Sequence, residues 1–264
     1  MRSKRAAYGV FRYRGTRNLG DAIQTVALTR LLPGRTRGVE RGDGITPPGT
    51  LLIANGWLGN NRLPEVEQQR NTLFAGVFVA QDHNLEWLRH SPFPIGARDP
   101  DTHDRLLKLG IQSEMIGCAS LTFPRHRGRR TGVYDVDAGW YSPVPAMAIP
   151  ITHFIPYDMP WLDQWRTAID VLALYRRASL VYTSRLHVAL PCIAFGTPVV
   201  FQRPGPTDAG EPLFLNRVSL LYSLGVVDGV PAEIDVQSIA SSYRAFLSRR
   251  LGTTVTDHTP RFPL

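Results

Sequence analysis

Short apolar runs alternate with stretches of helical periodicity along most of the chain, which predicts an α/β protein. Residues 6–13 read as a strand, followed by a polar loop over 14–18 and a helix over 19–32. The apolar positions Ile23, Val26, Ala27 and Leu31 fall on one face of that helix. Residues 51–55 and 73–80 are almost continuously apolar, as expected of parallel strands covered on both sides. Pro100 sits where the first turn of a helix tolerates proline, Gly110 closes that helix, and a strand follows over 112–116. Residues 124–132 are polar, basic and bracketed by Pro124 and Gly132, so the domain boundary is placed within them. Beyond it the pattern predicts a strand over 146–151, a helix over 161–178 and a strand over 180–183. A helix over 184–195, a strand over 198–201 and a terminal helix over 235–251 complete the chain. The implied architecture is two α/β halves, residues 1–128 and 129–264, facing a cleft.

Composition narrows the class. With 264 residues, 43% hydrophobic and 20% charged, the chain can bury a core, so disorder as the main state is excluded. The longest uncharged stretch, residues 186–202, carries two prolines and a glycine and does not read as a membrane span. The first residues carry charge without an apolar h-region, so no signal peptide is expected. Cys118 and Cys192 lie far apart and read as buried thiols in a reducing compartment, so a cytoplasmic location is expected. Lys+Arg number 30 against 22 Asp+Glu, for a net charge of +8, and all but Lys4 and Lys108 are arginines. Guanidinium forks suit carboxylates and phosphates. The arginines are scattered, and no zinc knuckle, aromatic RNA-binding run or basic helix accompanies them, which argues against nucleic acid. An acidic small molecule or an anionic lipid-linked acceptor fits better, with peripheral contact to an anionic membrane surface as a corollary.

The common fingerprints of nucleotide, metal and serine-hydrolase sites are absent: no Walker A, G-x-G-x-x-G, C-x-x-C, H-E-x-x-H or G-x-S-x-G occurs. No metal or cofactor is expected. The densest chemistry lies in residues 182–201. There a strand ends at Thr183, Ser184 can cap the next helix, and Arg185 and His187 follow in its first turn. That is the carboxyl edge of a parallel strand, where open α/β sheets bind ligands, and helix N-terminal amides add positive character. Pro191 cannot donate to the carbonyl of His187, so the helix should kink. Asn18 with Asp21 reads first as a capping box, and secondly as a polar pair at the mouth of the same cleft. Arg98 is a second anion fork, with Asp99 as the cap of its helix. His153 is a weaker acid–base nominee, and Cys118 reads as an inert buried thiol.

Taken together, Asn18-Leu-Gly-Asp-Ala-Ile-Gln24, Asn55-Gly-Trp57, Gly96-Ala-Arg-Asp99, Gly117-Cys-Ala-Ser-Leu-Thr122, Ser184-Arg-Leu-His187 and Gly196-Thr-Pro-Val199 resemble the polysaccharide pyruvyltransferase family in content and order. The resemblance implies a GT-B-like fold of two Rossmann-like domains, with the acceptor on the first and the donor on the second. It also implies transfer of pyruvate from phosphoenolpyruvate onto two hydroxyls of a sugar, glycan or lipid-linked saccharide, forming a cyclic ketal in polysaccharide or exopolysaccharide biosynthesis. By that resemblance Arg185, Leu186 and His187 would hold the donor. Arg98, Asn18, Ser184 and His153 complete the expected substrate-binding set, His187 and Asp21 the expected acid–base pair. Many members carry an aspartate where this chain has Cys118, and the chain is short for the family. Two other readings therefore stand beside it: a GT-B-like glycosyltransferase using a nucleotide sugar, and a non-catalytic sugar- or phosphate-binding scaffold in envelope assembly.

Overall fold

A computed structural model describes residues 7–42, 46–59, 66–139, 143–203 and 211–263. The first half is built from β1 (Ala7–Arg12), α1 (Leu19–Thr29), β2 (Thr36–Glu40), β3 (Thr50–Leu58), β4 (Thr72–Val79), α2 (Asp82–Trp87), β5 (Ile95–Ala97), α3 (Pro100–Lys108) and β6 (Ser113–Met115). Its strands form a six-stranded parallel sheet in the order β2-β1-β3-β4-β5-β6. The second half contributes β7 (Val133–Val136), β8 (Ile149–Ile151), α4 (Trp161–Arg177), β9 (Leu180–Thr183), α5 (Leu186–Phe195), β10 (Val199–Phe201), α6 (Glu211–Ser223), β11 (Pro231–Ala232) and α7 (Gln237–Leu251). Its five strands lie in the order β11-β10-β9-β7-β8, parallel except for the short β11. Two Rossmann-like sheets facing a cleft are the GT-B-like α/β arrangement expected.

The continuous apolar runs behave as their composition requires. All eight residues of β4 are buried, with α7 packed on one face and α2 and α3 on the other. Helix α1 is buried at ten of its eleven positions, wedged against α4, α5 and the short 3-10 turn Ala119–Thr122. The core therefore runs across residue 128 without a break, from Val10 and Ile23 through Val188 to Phe246. Helix α7 returns from the second half to lie on β4. Its Tyr243, fully buried, donates from Oη to the Ala75 carbonyl at 3.0 Å. That carbonyl sits at the irregularity between Ala75 and Val77, where Gly76 takes φ +79. A Cβ on Gly76 would meet the Gly117 carbonyl at 2.8 Å, so both the conformation and the close approach require glycine.

The differences from the sequence reading are local. The strand expected over 146–151 begins at Ile149. Strand β2 was not foreseen, because Thr36-Arg-Gly-Val-Glu40 mixes charge and glycine at a sheet edge; β7, α2, α6 and β11 were missed as well. The boundary segment is irregular, yet Arg130 ties it down by donating to the carbonyls of His126, Arg176 and Phe195.

Candidate functional site

The first sheet reverses its winding between β1 and β3, and ligand crevices form at the carboxyl ends of strands at such a switch point. A cleft of about 580 Å³ opens there. The eight residues nominated from sequence all line it: Asn18, Asp21 and Arg98 from the first half, and His153 with the run 184–187 from the second. Backbone pairing stitches the two halves at its floor, where Leu19 N donates to the His153 carbonyl and Ile155 N to that of Arg17.

The turn from β9 into α5 is organised differently from the expected cap. Arg185 occupies the N-cap position, and the Thr183 hydroxyl accepts from its backbone N–H at 3.0 Å. Ser184 does not cap the helix, because its Oγ donates to the Asp137 carbonyl at 2.9 Å. Arg185 Nε donates to Asp137 Oδ2 at 2.9 Å, and its guanidinium lies 4.0 Å from the centroid of the Phe154 ring. Anchoring through Nε leaves the two Nη groups as a fork for a carboxylate or phosphate. Asp137 was not legible as a functional residue, since it follows a strand the pattern did not reveal. It is a non-glycine with φ +58, a conformation that costs about 1–2 kcal/mol and clusters at functional sites. Its carboxylate also accepts from His153 N at 3.0 Å.

The kink in α5 falls at His187 (φ −84°, ψ 18°), whose carbonyl is the one Pro191 cannot serve. His187 Nε2 is buried without a partner among the described residues, and the imidazole packs over Gly20, where a Cβ would lie 3.1 Å from His187 Cβ. Burial holds the His187 pKa well below the ordinary histidine value, and the neighbouring Arg98, His153 and Arg217 add to the shift. His153 is 1% exposed, hydrogen-bonded through Nε2 to Tyr175 Oη at 2.7 Å, and held at a pKa of about 3 mainly by burial. Burial therefore favours the neutral imidazole at His153, as it does at His187. His153 Nδ1, without a partner among the described residues, remains a polar contact for a ligand.

On the opposite wall Asn18 caps α1 through Oδ1, accepting from Gly20 N at 3.1 Å. Asp21 does not complete a capping box; it accepts from the Thr16 hydroxyl at 3.0 Å. Burial raises its pKa, against the opposing pull of Arg41, the Thr16 hydroxyl and Arg217. Arg98 is 2% exposed, stacked 4.5 Å from the Phe78 centroid, with Nη2 donating to the Arg217 carbonyl. Asp99 is the N-cap of α3, as expected, accepting from Thr102 N at 3.0 Å.

Sequence reasoning missed two further arginines. Arg41 follows β2 and lies 5.5 Å from the Tyr13 centroid, while Arg217 on α6 lies 5.1 Å from the Trp57 ring. In the sequence they are members of a basic cluster and of an ordinary helix, so only the fold brings them to the cleft. Around the lining, the Arg41 side chain lies against the Tyr13 hydroxyl, while Gln24 Oε1, Trp57 Nε1 and His187 Nε2 are buried with no partner among the described residues. Buried polar atoms are rarely left so, and their clustering at one cleft marks a place built for a polar ligand. Cys118 is outside the lining, with burial pushing its thiol pKa up. Among the described residues no group of three or more His, Cys, Asp or Glu is arranged to hold a metal. Among them, too, no helix is long and apolar enough to cross a membrane.

Fold and site together define an α/β protein with an arginine-lined cleft at a strand switch point. Residues 85–201 match the family model Polysaccharide pyruvyl transferase, which bears out the resemblance read from the motifs. The match covers β5, α3 and the β9–α5 turn, and thereby Arg98, Arg185 and His187. No curated protein matches the chain. Among solved structures, an uncharacterised protein from Klebsiella pneumoniae is similar in fold, with a TM-score of 0.51 and 15% identity over 82% of this chain and 88% of that one. The glycotransferase of kitacinnamycin aligns with a TM-score of 0.36 and 10% identity over 96% and 97% of the two chains.

Proposed function

We propose that the chain transfers the pyruvyl group of phosphoenolpyruvate onto two hydroxyls of a sugar or glycan, forming a cyclic ketal and releasing phosphate. The observation that carries this reading is the convergence of Arg185, Arg98, Arg41 and Arg217 on one cleft around His187. The donor carries a carboxylate and a phosphate, and guanidinium forks bind both bidentately.

The chemistry begins with a proton delivered to the methylene carbon, which leaves C2 electron-poor. One sugar hydroxyl adds to C2 and loses its proton. The C2–O bond to phosphate then breaks, with the electron pair leaving on phosphate, and the second hydroxyl adds to C2 to close the ketal, its proton passing to the released phosphate. Fixed positive charge stabilises the departing phosphate. His187 is neutral in the open cleft, and a bound polyanion draws its pKa up toward the range where it can carry a proton. Asp21, its pKa raised by burial, orients the sugar or accepts a hydroxyl proton. No cofactor is required, and the reading places the reaction in polysaccharide assembly in the cytoplasm.

The test is phosphate release from phosphoenolpyruvate in the presence of an oligosaccharide mixture, with mass spectrometry of the saccharides. A pyruvylated saccharide formed in step with phosphate is the expected result. Turnover of a nucleotide sugar without consumption of phosphoenolpyruvate would overturn it. Failure to bind either donor would leave a scaffold.

A further inference from the structure

A second cavity of about 440 Å³ adjoins the main cleft. The two share Arg14, Gly15 and Glu40, so they are compartments of one trench divided by the loop after β1. Glu40 is buried at the divider, where it accepts from Arg14 N at 2.9 Å and pairs with the Arg12 and Arg14 guanidinium groups. The far wall is Tyr157, Asp158 and Trp161.

Tyr157 is 60% exposed, so its ring is accessible at the edge of the cavity. Its hydroxyl end lies over Gly15, at φ +60, where a Cβ would come 2.7 Å from Tyr157 Oη. Trp161 Nε1 is buried without a partner among the described residues. The compartment therefore offers a flat apolar face, an indole donor, a carboxylate and an arginine rim. A second polyanion is disfavoured there by Glu40 and Asp158, and an apolar partner by the charged rim. A pyranose ring matches: one face is C–H rich and its edge carries hydroxyls that both donate and accept. The volume lies within the roughly 300–1,000 Å³ typical of small-ligand sites.

We propose that this compartment is a glycan-extension subsite, holding the sugar residue next to the one modified in the main cleft, with Tyr157 as its stacking platform. The proposal rests on the pyruvyltransferase reading above. It makes the acceptor an oligosaccharide engaged over at least two residues, with the single terminal sugar a poor ligand.

The test uses the full chain with phosphoenolpyruvate present and an oligosaccharide array of one to six residues. Dissociation constants are then measured for the best oligosaccharide and for the methyl glycoside of its terminal sugar. The expected result is binding of the oligosaccharide about tenfold tighter, the scale of one aromatic stacking contact. Tyr157→Ala should erase that ratio and Tyr157→Phe should keep it, with thermal melts checking that both variants are folded. Equal affinity for short and long saccharides, no saccharide binding, or a ratio surviving in Tyr157→Ala would overturn the subsite. A thermal shift with phosphoenolpyruvate alone separates these failures from failure of the underlying reading: if it is present, only the subsite falls; if it is absent, both do.

Discussion

The two walls of the cleft differ in how fully their polar groups are engaged. On the second-half wall most chemistry-bearing groups are already engaged, Arg185 by Asp137, Ser184 by the Asp137 carbonyl and His153 Nε2 by Tyr175, with His187 Nε2 the exception. On the first-half wall Gln24 and Trp57 each present a buried polar atom with no partner among the described residues, beside Asn18, Asp21 and Arg98, which are held. An engaged group fixes a ligand's position in advance, at no cost when it arrives. An open one is completed by whatever binds. A small anion of constant shape suits the pre-engaged Arg185, and a hydroxyl-rich acceptor suits the unpartnered atoms of Gln24 and Trp57. Substitutions on the two walls should therefore fail in different ways.

The largest effect is expected at Arg185. Arg185→Ala removes the fork that meets the donor and leaves Asp137 as a buried, uncompensated carboxylate. Turnover should fall by about 10³-fold, the scale for loss of one group stabilising developing charge. Arg185→Lys should recover little, because an ammonium cannot donate to Asp137 and fork a carboxylate together. Near-normal phosphate release by folded Arg185→Ala would break the assignment of this wall to the donor.

Next in size is Asp137→Asn. Asparagine tolerates the left-handed backbone, so the turn should survive, while the charge that orients Arg185 is lost. A charge-assisted hydrogen bond contributes about 1.5–3 kcal/mol, so KM for phosphoenolpyruvate should rise by roughly 10- to 100-fold with a smaller change in kcat. A change confined to kcat would mean that Asp137 does more than position.

Arg185 and Asp137 also mark how far the sequence could be read. The strand-to-helix context of Arg185 and of Arg98 was legible, because a run of apolar residues ending in Thr183 or Ala97 places the next side chain at the sheet edge. Asp137 was not, since Val133-Tyr-Asp-Val136 is too short and polar to stand out as a strand. Arg41 and Arg217 were hidden for another reason. An arginine's sequence neighbours do not say whether it faces water or a cleft formed by elements far along the chain. The central strands β1, β3 and β4 and the helices α1, α4 and α7 were readable within a few residues because their burial dictates their composition. The return of α7 onto β4 was not, because a helix's apolar stripe does not name the sheet it covers.

His153 supplies a stability test of the second-half wall. Its pKa is about 3 in the folded chain against 6.5 for an ordinary histidine. The unfolded chain therefore takes up this proton first as pH falls. Full stability is present above about pH 6.5 and is lost through the window down to about pH 3, at about 1.4 kcal/mol per pH unit from this residue. His153→Gln should flatten the acid limb of a denaturation profile by one proton's worth. An unchanged slope between pH 6 and 4 would show that the group is not held neutral.

The smallest change is expected on the first-half wall, at Trp57. Its indole Nε1 has no partner among the described residues, while its ring faces the Arg217 guanidinium. Trp57→Phe keeps an aromatic face for Arg217 and removes the unpaired donor. Stability should change by no more than about 0.5 kcal/mol or rise slightly, because removing a buried group that lacked a hydrogen bond removes a desolvation penalty. If the acceptor uses that N–H, KM for the saccharide should rise about three- to tenfold while KM for phosphoenolpyruvate stays within a factor of two. The opposite split, with the donor affected and the saccharide not, would reverse the assignment of the two walls.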